Sequence, residues 1–454
     1  MFDDRSQLIA KNPPALYYGV AATDIDGDGQ FELFIAGNGF PNRILRWDGA
    51  ALVDLVIPPL MDAQRRAIGV AAADLDGDGQ EEIYVLNTDT FAGRKQVGDR
   101  LFDLRDGAWV DLFELPYYES ALNLTAGRSV VAVDRFGTGR YGFFVANYGG
   151  PMRLYEMDAS KTLNDMARSA GINYATGGRA LVALPLVSQH MDIFAANERG
   201  PNLLFRNRGD GTFEEIAQQS GVWDRYQHGR GVAVADLDED GRFDLVCGNW
   251  EGPHRVFMQL QPGVFEDMAS AELATPSRVR TVIAADFDND GEIEIFFNNI
   301  GEPNRLFGVR SGAIVALDIG AALEPDGLGT GAAVCDIDGD GTLELLVAHG
   351  ESAPQPLSLF RAASDGNHWL RVLPLTAQGA PARGAVVALT AGGRTQRRAI
   401  DAGSGYLCQM EPVAHFGLGA TDAVERVTVR WLSGREATID SPAVDQPLVV
   451  PYPE

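Results

Sequence analysis

An acidic pattern that returns about every fifty residues is the strongest constraint on the fold of this chain. The motif D-x-D-x-[DN]-G-x-x-[DE] begins at Asp24, Asp74, Asp236, Asp286 and Asp336. Two worn copies fill the long gap: one keeps only its first acid, Asp134, and the other only its last, Asp192. The seven units follow one another at intervals of 50 to 60 residues. Such a period predicts a repeat architecture rather than a single irregular core.

Each unit also carries the pattern of four short strands. Small residues precede the acidic loop, as in GVAATD and GAAVCD, and an alternating apolar run follows it, as in ELFIAGN and EIYVLN. A Gly/Pro turn, a third strand and an outer strand such as GTFEEIA come next. Four strands in each of seven units predict an all-β fold, a seven-bladed β-propeller over residues 1–362. Because MFDDRSQLIA resembles the sequences of the outer strands, we predict that residues 2–9 complete the last blade and protect its edges.

The acidic loops predict structural calcium sites. An EF-hand would need a bidentate Glu at position 12 and flanking helices, but position 12 falls within strand patterns, at Ile35, Val85, Cys247, Phe297 and Val347. Carboxylates at positions 1, 3, 5 and 9, with the backbone carbonyl of position 7, form an all-oxygen shell that suits Ca²⁺. The glycine at position 6 allows the sharp turn. We therefore predict about five structural Ca²⁺ ions; the alternative is acidic turns closed only by their own hydrogen bonds.

The predicted calcium ligands are five residues in each of five loops. They are Asp24, Asp26, Asp28, Gln30 and Glu32; Asp74, Asp76, Asp78, Gln80 and Glu82; Asp236, Asp238, Asp240, Arg242 and Asp244; Asp286, Asp288, Asp290, Glu292 and Glu294; and Asp336, Asp338, Asp340, Thr342 and Glu344. We name these acid loops 1, 2, 5, 6 and 7 after their units. The residue at position 7 contributes its carbonyl oxygen, whatever its side chain.

The fifty-residue period stops near Asn367. Alternating Val/Leu strands with Gly turns follow, and they predict a small β-sandwich over residues 363–454. This second domain is expected to pack beside the propeller or to contact a partner.

Both predicted domains resemble known families. The acid loops resemble FG-GAP/VCBS repeats, as found in the propeller heads of integrin α chains. The C-terminal domain resembles the ASPIC/UnbV domain through N-x-W-L at 367–370, G-A-V at 384–386, G-x-G-Y at 403–406, HFGLG at 415–419 and V-x-W-x-S-G at 429–434. The combination resembles the cartilage acidic protein family, known in animals and bacteria. This resemblance implies structural calcium but no defined biochemical activity.

Arginine opens the inner strand of four consecutive units. Arg128, Arg230 and Arg280 stand six residues before the first loop position, and Arg179 is one residue out of register. Inner strands converge on a propeller axis, so these guanidiniums are predicted to meet at one mouth of the channel. Clustered cations need anions there, which are either acidic neighbours such as Glu198 and Glu251 or a bound carboxylate or phosphate. With the aromatic residues Tyr18, Trp223, Tyr226 and Trp250, the four arginines are the candidate ligand-binding residues.

Two functions remain open from the sequence. The first is a calcium-stabilised binding module whose partner is a small anionic or apolar molecule, a protein or a glycan. The second is an enzyme of lyase or cyclase type at the arginine-lined mouth, with His228 and His254 as candidate acid/base groups. No nucleophile motif accompanies these histidines.

The charge and the apolar runs exclude some partners. Lys and Arg number 37 against 63 Asp and Glu, a formal net charge of −26 that disfavours nucleic acid. No run of eighteen apolar residues predicts a membrane span. Because no signal peptide is recognised at the start, the sequence predicts a soluble protein. Its expected location is the cytoplasm, or the extracellular space if an export signal has been removed.

Overall fold

The computed structural model describes residues 1–310, 312–363 and 366–454, and strands dominate it. Inner strands such as Ala67–Ala73 are buried at every position, because neighbouring sheets cover both of their faces. The short helical segments are Ser6–Leu8, Pro58–Met61, Leu112–Glu114, Pro116–Ala121, Ala217–Ser220 and Ala321–Leu323. They add single apolar side chains to cores built mainly by strands, such as Leu112 and Phe113.

Residues 1–362 form antiparallel four-stranded meanders, each running outwards from a strand of small residues. The first two are β2 to β5 (Tyr17–Thr23, Glu32–Gly37, Arg43–Trp47, Leu52–Asp54) and β6 to β9 (Ala67–Ala73, Glu82–Asn87, Arg100–Arg105, Ala108–Asp111). The next two are β10 to β13 (Gly127–Val133, Gly142–Pro151, Arg153–Met157, Leu163–Asp165) and β14 to β17 (Ala175–Leu184, Asp192–Arg199, Leu203–Asn207, Phe213–Glu215). Then follow β18 to β21 (Gly229–Ala235, Asp244–Asn249, Arg255–Gln261, Val264–Asp267) and β22 to β25 (Val279–Ala285, Glu294–Asn299, Arg305–Arg310, Ala313–Ala316). The last contains β26 to β28 (Gly329–Cys335, Glu344–His349, Ser358–Ala362) and β1 (Phe2–Asp4).

The inner strands close a circle. Contacts run from β2 to β6, β10, β14, β18, β22 and β26, and from β26 back to β2. This is the arrangement of a β-propeller, and the prediction of an all-β, propeller-type fold is confirmed. Each acidic or worn loop joins the first strand of a meander to the second, so all of these loops lie at the same end of the ring.

The N-terminal strand β1 is the outer strand of the last meander. It pairs antiparallel with β28, with Phe2 opposite Ala362 and Asp4 opposite Phe360. Phe2 is buried, and its ring lies 5.0 Å from that of Phe287. Within the predicted segment of residues 2–9 only Phe2–Asp4 form a strand, because the Asp4 carboxylate accepts the Ser6 N–H at 2.8 Å and the chain turns into the Ser6–Leu8 helix. That helix still contacts the last meander, where Ser6 accepts the Leu359 N–H at 3.0 Å.

The two meanders with worn loops are joined edge to edge. Strand β11 runs on to Pro151 and pairs with the start of β14, with Tyr148 opposite Gly177. The result is one eight-stranded sheet, a feature that the repeat pattern did not predict.

The C-terminal region is a sandwich of two sheets. Its strands are β29 (His368–Pro374), β30 (Val386–Ala391), β31 (Arg394–Ala399), β32 (Ala414–Gly419), β33 (Arg426–Arg430), β34 (Glu436–Asp440) and β35 (Pro447–Val450). One sheet has the order β32-β29-β35, with β29 and β35 parallel, and the other the order β31-β30-β33-β34. Leu370, Val387, Phe416 and Val429 form part of the core between them.

A loop of this sandwich, residues 402–411, enters the channel of the propeller; we call it the plug loop. The Gln409 backbone donates to the Val20 carbonyl at 2.9 Å and accepts the Ala22 N–H at 3.1 Å, both on β2. Gly405 exchanges two backbone hydrogen bonds with Val232 of β18. Further backbone bonds reach β6, β10 and β26. The sequence left open whether this domain packs beside the propeller or contacts a partner, and it did not indicate that part of the domain lies inside the ring.

Glycine makes the close approach possible. A Cβ on Gly19 would lie 2.2 Å from the Leu407 carbonyl oxygen, closer than any side chain tolerates. Gly405 itself has a φ of 63°, which L-residues adopt rarely. The small inner-strand residues thus leave room for a loop of another domain.

Candidate functional site

The four predicted arginines meet around the side chain of Tyr406, at the tip of the plug loop. Arg179 donates to the Tyr406 hydroxyl at 3.2 Å, and the Arg280 guanidinium lies 5.6 Å from its ring centre. All four arginines are buried, Arg179 to within 1% of its surface. We call Arg128, Arg179, Arg230 and Arg280 the arginine cluster. It lies at the end of the channel opposite the acid loops, because each arginine stands near the start of its inner strand.

Two carboxylates accompany the cluster. Glu198 accepts hydrogen bonds from Arg179 and from Arg230, the latter at 2.7 Å, and Glu351 pairs with Arg280 at 2.5 Å. Arg128 instead donates to two backbone carbonyls, those of Thr90 and Phe91. Acidic neighbours, one of the two alternatives that the sequence left open, therefore compensate part of the positive charge of the cluster.

Glu251, the other acidic neighbour that the sequence suggested, pairs with the exposed Arg278 instead. Glu351 was missed because it follows the second strand of the last meander and reaches Arg280 only after the ring has closed.

Aromatic rings separate the guanidiniums. Trp250 lies between Arg230 and Arg280, at 4.5 and 5.0 Å from ring centre to guanidinium carbon. Phe91 covers Arg128 and Arg179 in the same way, and its own ring is 56% exposed. These contacts stabilise cations that lack a full set of carboxylates. Phe91 belongs to a loop between β7 and β8 that the sequence did not indicate.

The charges in the cluster do not balance. Four guanidiniums share two carboxylates, and buried N–H groups on Arg128, Arg230 and Arg280 have no hydrogen-bond partner among the residues that the structure describes. Burial, followed by repulsion from Arg179 and Arg280, lowers the pKa of Arg230 to about 10. Burial would raise the pKa of the Tyr406 hydroxyl, but the four guanidiniums outweigh it and hold that pKa below its usual value. The site therefore carries positive potential that an anion would satisfy.

The other candidate ligand residues are spread more widely. Tyr18 lies at the cluster, where burial and then Glu351 raise the pKa of its hydroxyl. Trp223 and Tyr226 both contact Arg225 instead, and Tyr226 is 82% exposed. His228 is exposed, and its Nδ1 lies 2.5 Å from the Glu198 carbonyl oxygen.

His254, a candidate acid/base group, is buried and has hydrogen-bond partners at both ring nitrogens. Its Nδ1 accepts the Asn249 N–H at 3.0 Å, and its Nε2 lies 3.0 Å from the Ser277 hydroxyl. Burial, with Arg305 nearby, lowers its pKa to about 3, so the ring is neutral. Asn304 occupies the matching position in the next meander and accepts the Asn299 N–H at 2.7 Å. The sequence shows this equivalence, because His254 and Asn304 occupy the same position in the corresponding segments GPHRVF and EPNRLF.

The acid loops gather their carboxylates as the sequence predicted. Sets such as Asp24, Asp26 and Glu32, or Asp286, Asp288 and Asp290, place oxygen atoms within 4.8 Å of one another. In every acid loop the position-9 carboxylate also accepts the backbone N–H of position 2, as in Glu32 with Ile25 at 2.7 Å. That bond holds the acid over the turn.

The electrostatics of these loops suit a bound cation. Within the described part of the chain, buried carboxylate oxygens of Asp76, Asp236 and Asp286 have no hydrogen-bond partner. Burial raises the pKa of Glu32 and Glu294 to about 8 and that of Glu344 to about 9, so ionised forms need a compensating charge. Basic side chains supply some of it, since Arg361 contacts three acids of acid loop 7. An all-oxygen shell of this kind fits Ca²⁺.

In the two worn loops, backbone N–H groups rather than a cation compensate the single remaining acid. Asp134 accepts the N–H groups of Phe136, Gly137 and Gly139. Asp192 accepts those of residues 186–188 and of Asn207. A single carboxylate in each worn loop is therefore satisfied by the backbone.

Comparison with known proteins identifies the family to which the chain belongs. The family model described as "ASPIC and UnbV" matches residues 376–454, and the FG-GAP-like repeat model matches residues 16–85, 189–247 and 236–297. Cartilage acidic protein 1 of Homo sapiens is 48% identical over 97% of this chain and 73% of its own length. The Xenopus tropicalis protein is 47% identical over 97% of the chain and 74% of its own length. The chain belongs to the cartilage acidic protein family.

Among solved structures, the fold is similar to the BP39L lectin from Burkholderia pseudomallei. The TM-score is 0.50 at 14% identity, and the match covers 77% of this chain and 98% of the lectin. At that identity the likeness concerns the fold alone. In the part of the chain that the structure describes, no helix is long and apolar enough to cross a membrane. The similarity to animal cartilage acidic proteins does not support the expected cytoplasmic location.

Proposed function

We propose that this member of the cartilage acidic protein family is a calcium-stabilised binding module whose arginine cluster takes a small anionic ligand. The observation that carries the proposal is the charge imbalance: four buried guanidiniums face two carboxylates, and three arginines keep unpartnered N–H groups. A buried cation without a partner costs several kcal/mol, roughly, and an anion that accepts these hydrogen bonds removes the cost. A carboxylate, sulfate or phosphate group has the required acceptors.

The aromatic side chains indicate the rest of the ligand. Phe91 is exposed and Trp250 is half-buried, and both already lie against guanidiniums of the cluster. A ring or an apolar body attached to the anionic group could stack on them. A small molecule of this kind fits the site better than a neutral glycan, because a neutral glycan leaves the charge uncompensated.

Calcium has a structural role in this proposal. The twenty-five residues of the five acid loops would hold the ions, and the chemistry that the ions supply is charge neutralisation. The loops lie at the end of the ring remote from the arginine cluster, and several of them contact the C-terminal sandwich. Asn367 donates to the Asp288 carbonyl at 2.9 Å, and Arg371 pairs with Asp336 at 3.0 Å. Bound ions would therefore stabilise the docking of the sandwich, and with it the plug loop that carries Tyr406.

The enzyme alternative is weaker. Of its two histidines, His254 is neutral and fully engaged, and His228 is exposed and contacts a backbone carbonyl. A lyase or cyclase reaction at this site would have to use other groups.

Calorimetric titration with sulfate and phenyl sulfate in calcium-containing buffer tests the proposal. We expect binding of phenyl sulfate to the wild-type protein, and a loss of at least about ten-fold in affinity in the double variant Arg128→Gln/Arg230→Gln, because each charged hydrogen bond contributes about 1.5–3 kcal/mol. Arg278→Gln is the matched control, since Arg278 lies two residues from Arg280 but is exposed and paired with Glu251. Equal affinity in the double variant and the wild type would refute the proposal. Neutral monosaccharides binding more tightly than the anions would favour a glycan partner instead.

A further inference from the structure

A cavity lies at the end of the channel opposite the arginine cluster, between the propeller and the sandwich. It is a cavity of about 130 Å³, bounded by the ends of β14, β18 and β22 and by residues 397–415. Its walls are largely apolar and include Leu184, Phe243, Ile283, Leu343 and Met410. Inner strands carry Arg179, Arg230 and Arg280 at their start and cavity residues at their end, so the cavity and the arginine cluster are separate sites.

Two adjacent arginines line this cavity without ion pairs. Arg398 donates to the Arg397 carbonyl at 3.0 Å and to the Gln396 side-chain oxygen at 2.9 Å, and both acceptors are neutral. Its guanidinium lies 5.3 Å from the centre of the Phe416 ring. Among the described residues, no carboxylate comes within ion-pair distance of Arg397 or Arg398. Arg394 on the same strand, by contrast, pairs with Glu239 and Glu292.

Three acids line the cavity, Asp286, Asp401 and Glu411, and the last two are already engaged. Asp401 accepts the Ser404 hydroxyl and the backbone N–H groups of Gly403 and Met410. Glu411 pairs with Arg371. Burial lowers the pKa of Arg398, although the nearest loop carboxylates, Asp236 and Asp286, attract it through space without contacting it. Asp286 also lines the cavity and keeps one buried oxygen without a hydrogen-bond partner among the described residues. The Ca²⁺ that the proposed function places on acid loop 6, on which this inference rests, would neutralise that acid. The two guanidiniums then leave the charge at the cavity positive.

From this arrangement we infer that the cavity is a second binding site, for a small organic monoanion with an apolar body. The anionic group, a carboxylate, accepts hydrogen bonds from Arg398 and Arg397, and the aliphatic or aromatic body lies among Leu184, Ile283 and Met410. A bare inorganic anion would leave the apolar part of the cavity unfilled. A neutral hydrocarbon would leave the two guanidiniums without an acceptor, so an anion with an apolar body fits better than either. Half-buried wall residues such as Val234, Ala284 and Ala399 show that solvent reaches the cavity.

Paired probes that differ only in charge test the inference. Hexanoate and benzoate, with hexanamide and benzamide as their neutral counterparts, are titrated calorimetrically into the full-length protein in calcium-containing buffer. We expect the carboxylates to bind more tightly than the amides. Arg398→Gln is expected to weaken carboxylate binding by at least about ten-fold, because it removes a charged hydrogen-bond donor. Ala399→Leu, which narrows the cavity, is expected to weaken carboxylates and amides alike.

Two control variants distinguish this cavity from the arginine cluster and from a general effect of positive charge. Arg394→Gln removes a charge from the same strand outside the cavity and is expected to leave the affinity unchanged. The Arg128→Gln/Arg230→Gln variant is expected to keep hexanoate binding, because it alters only the arginine cluster. Melting curves show whether each variant is folded, and Ala399→Leu supplies a second test if Arg398→Gln is not. Amides that bind as tightly as carboxylates, an unchanged affinity in folded Arg398→Gln, no detectable binding, or loss of hexanoate binding in the cluster variant would each overturn the inference.

Discussion

The plug loop makes the propeller depend on the C-terminal sandwich, and Leu407→Ala measures that dependence. Leu407 is fully buried among propeller side chains that include Ile68, Leu86 and Val131. Truncating a buried leucine removes its apolar contacts and leaves a cavity, which costs about 2–5 kcal/mol. We expect the upper half of this range, because the channel is closed on itself and cannot collapse around the missing atoms.

Two measurements follow the effect. Urea unfolding monitored by tryptophan fluorescence gives the loss in free energy, and an unchanged slope shows that the same surface unfolds. Hydrogen exchange by mass spectrometry locates the destabilised region, and we expect faster exchange in peptides covering β2 (Tyr17–Thr23) and β6 (Ala67–Ala73). Leu389→Ala is the matched control, since Leu389 is equally buried but lies within the sandwich core. Its largest exchange changes should fall in the sandwich. A loss of less than about 0.5 kcal/mol for Leu407→Ala, which is typical of surface substitutions, with unchanged exchange in β2 and β6, would refute an inserted loop.

Three further results are expected. Chelation with EGTA should lower the melting temperature, and Ca²⁺ should restore it better than Mg²⁺ because the loops offer a flexible, all-oxygen shell; a melting temperature indifferent to EGTA would contradict the calcium proposal. Phe2→Ala should destabilise the propeller by about 3–5 kcal/mol, because it empties the contact with Phe287 that completes the last meander; a urea midpoint equal to that of the wild type would show that β1 does not support the ring. His254→Asn should be tolerated, whereas His254→Ala leaves the Asn249 N–H unpartnered and should cost about 1–3 kcal/mol. The pKa of His254 in the folded protein, about 3, lies below its ordinary value of 6.5, so protonation is less favourable in the folded state than in the unfolded state. Its contribution to stability is therefore complete above pH 6.5 and is lost progressively as the pH falls towards 3. Stability measured between pH 7 and 4 should therefore decline less in His254→Asn, and an identical decline in both proteins would disprove the neutral assignment.

What the sequence by itself determined is local. The alternation of apolar residues produces strands, and D-x-D-x-D-G places several carboxylates on one short turn, since both patterns depend on residues a few positions apart. The common register of Arg128, Arg230 and Arg280 followed from the repeat, because equivalent positions in equivalent strands meet at the same end of a ring. Those features were predictable from spacing alone.

Only the tertiary structure decided which partners these groups meet. Leu407 lies against Gly19 and Gly69, and Tyr406 lies among the arginines, because a loop of the sandwich enters a channel lined with small residues. Glu351 rather than Glu251 pairs with Arg280, and Arg397 and Arg398, which form no ion pair with any described residue, come to face the ends of inner strands more than a hundred residues away. No local pattern encodes such pairs. They exist because closing the ring and docking the sandwich bring distant side chains into one low-dielectric space, where charge balance and shape select the contacts.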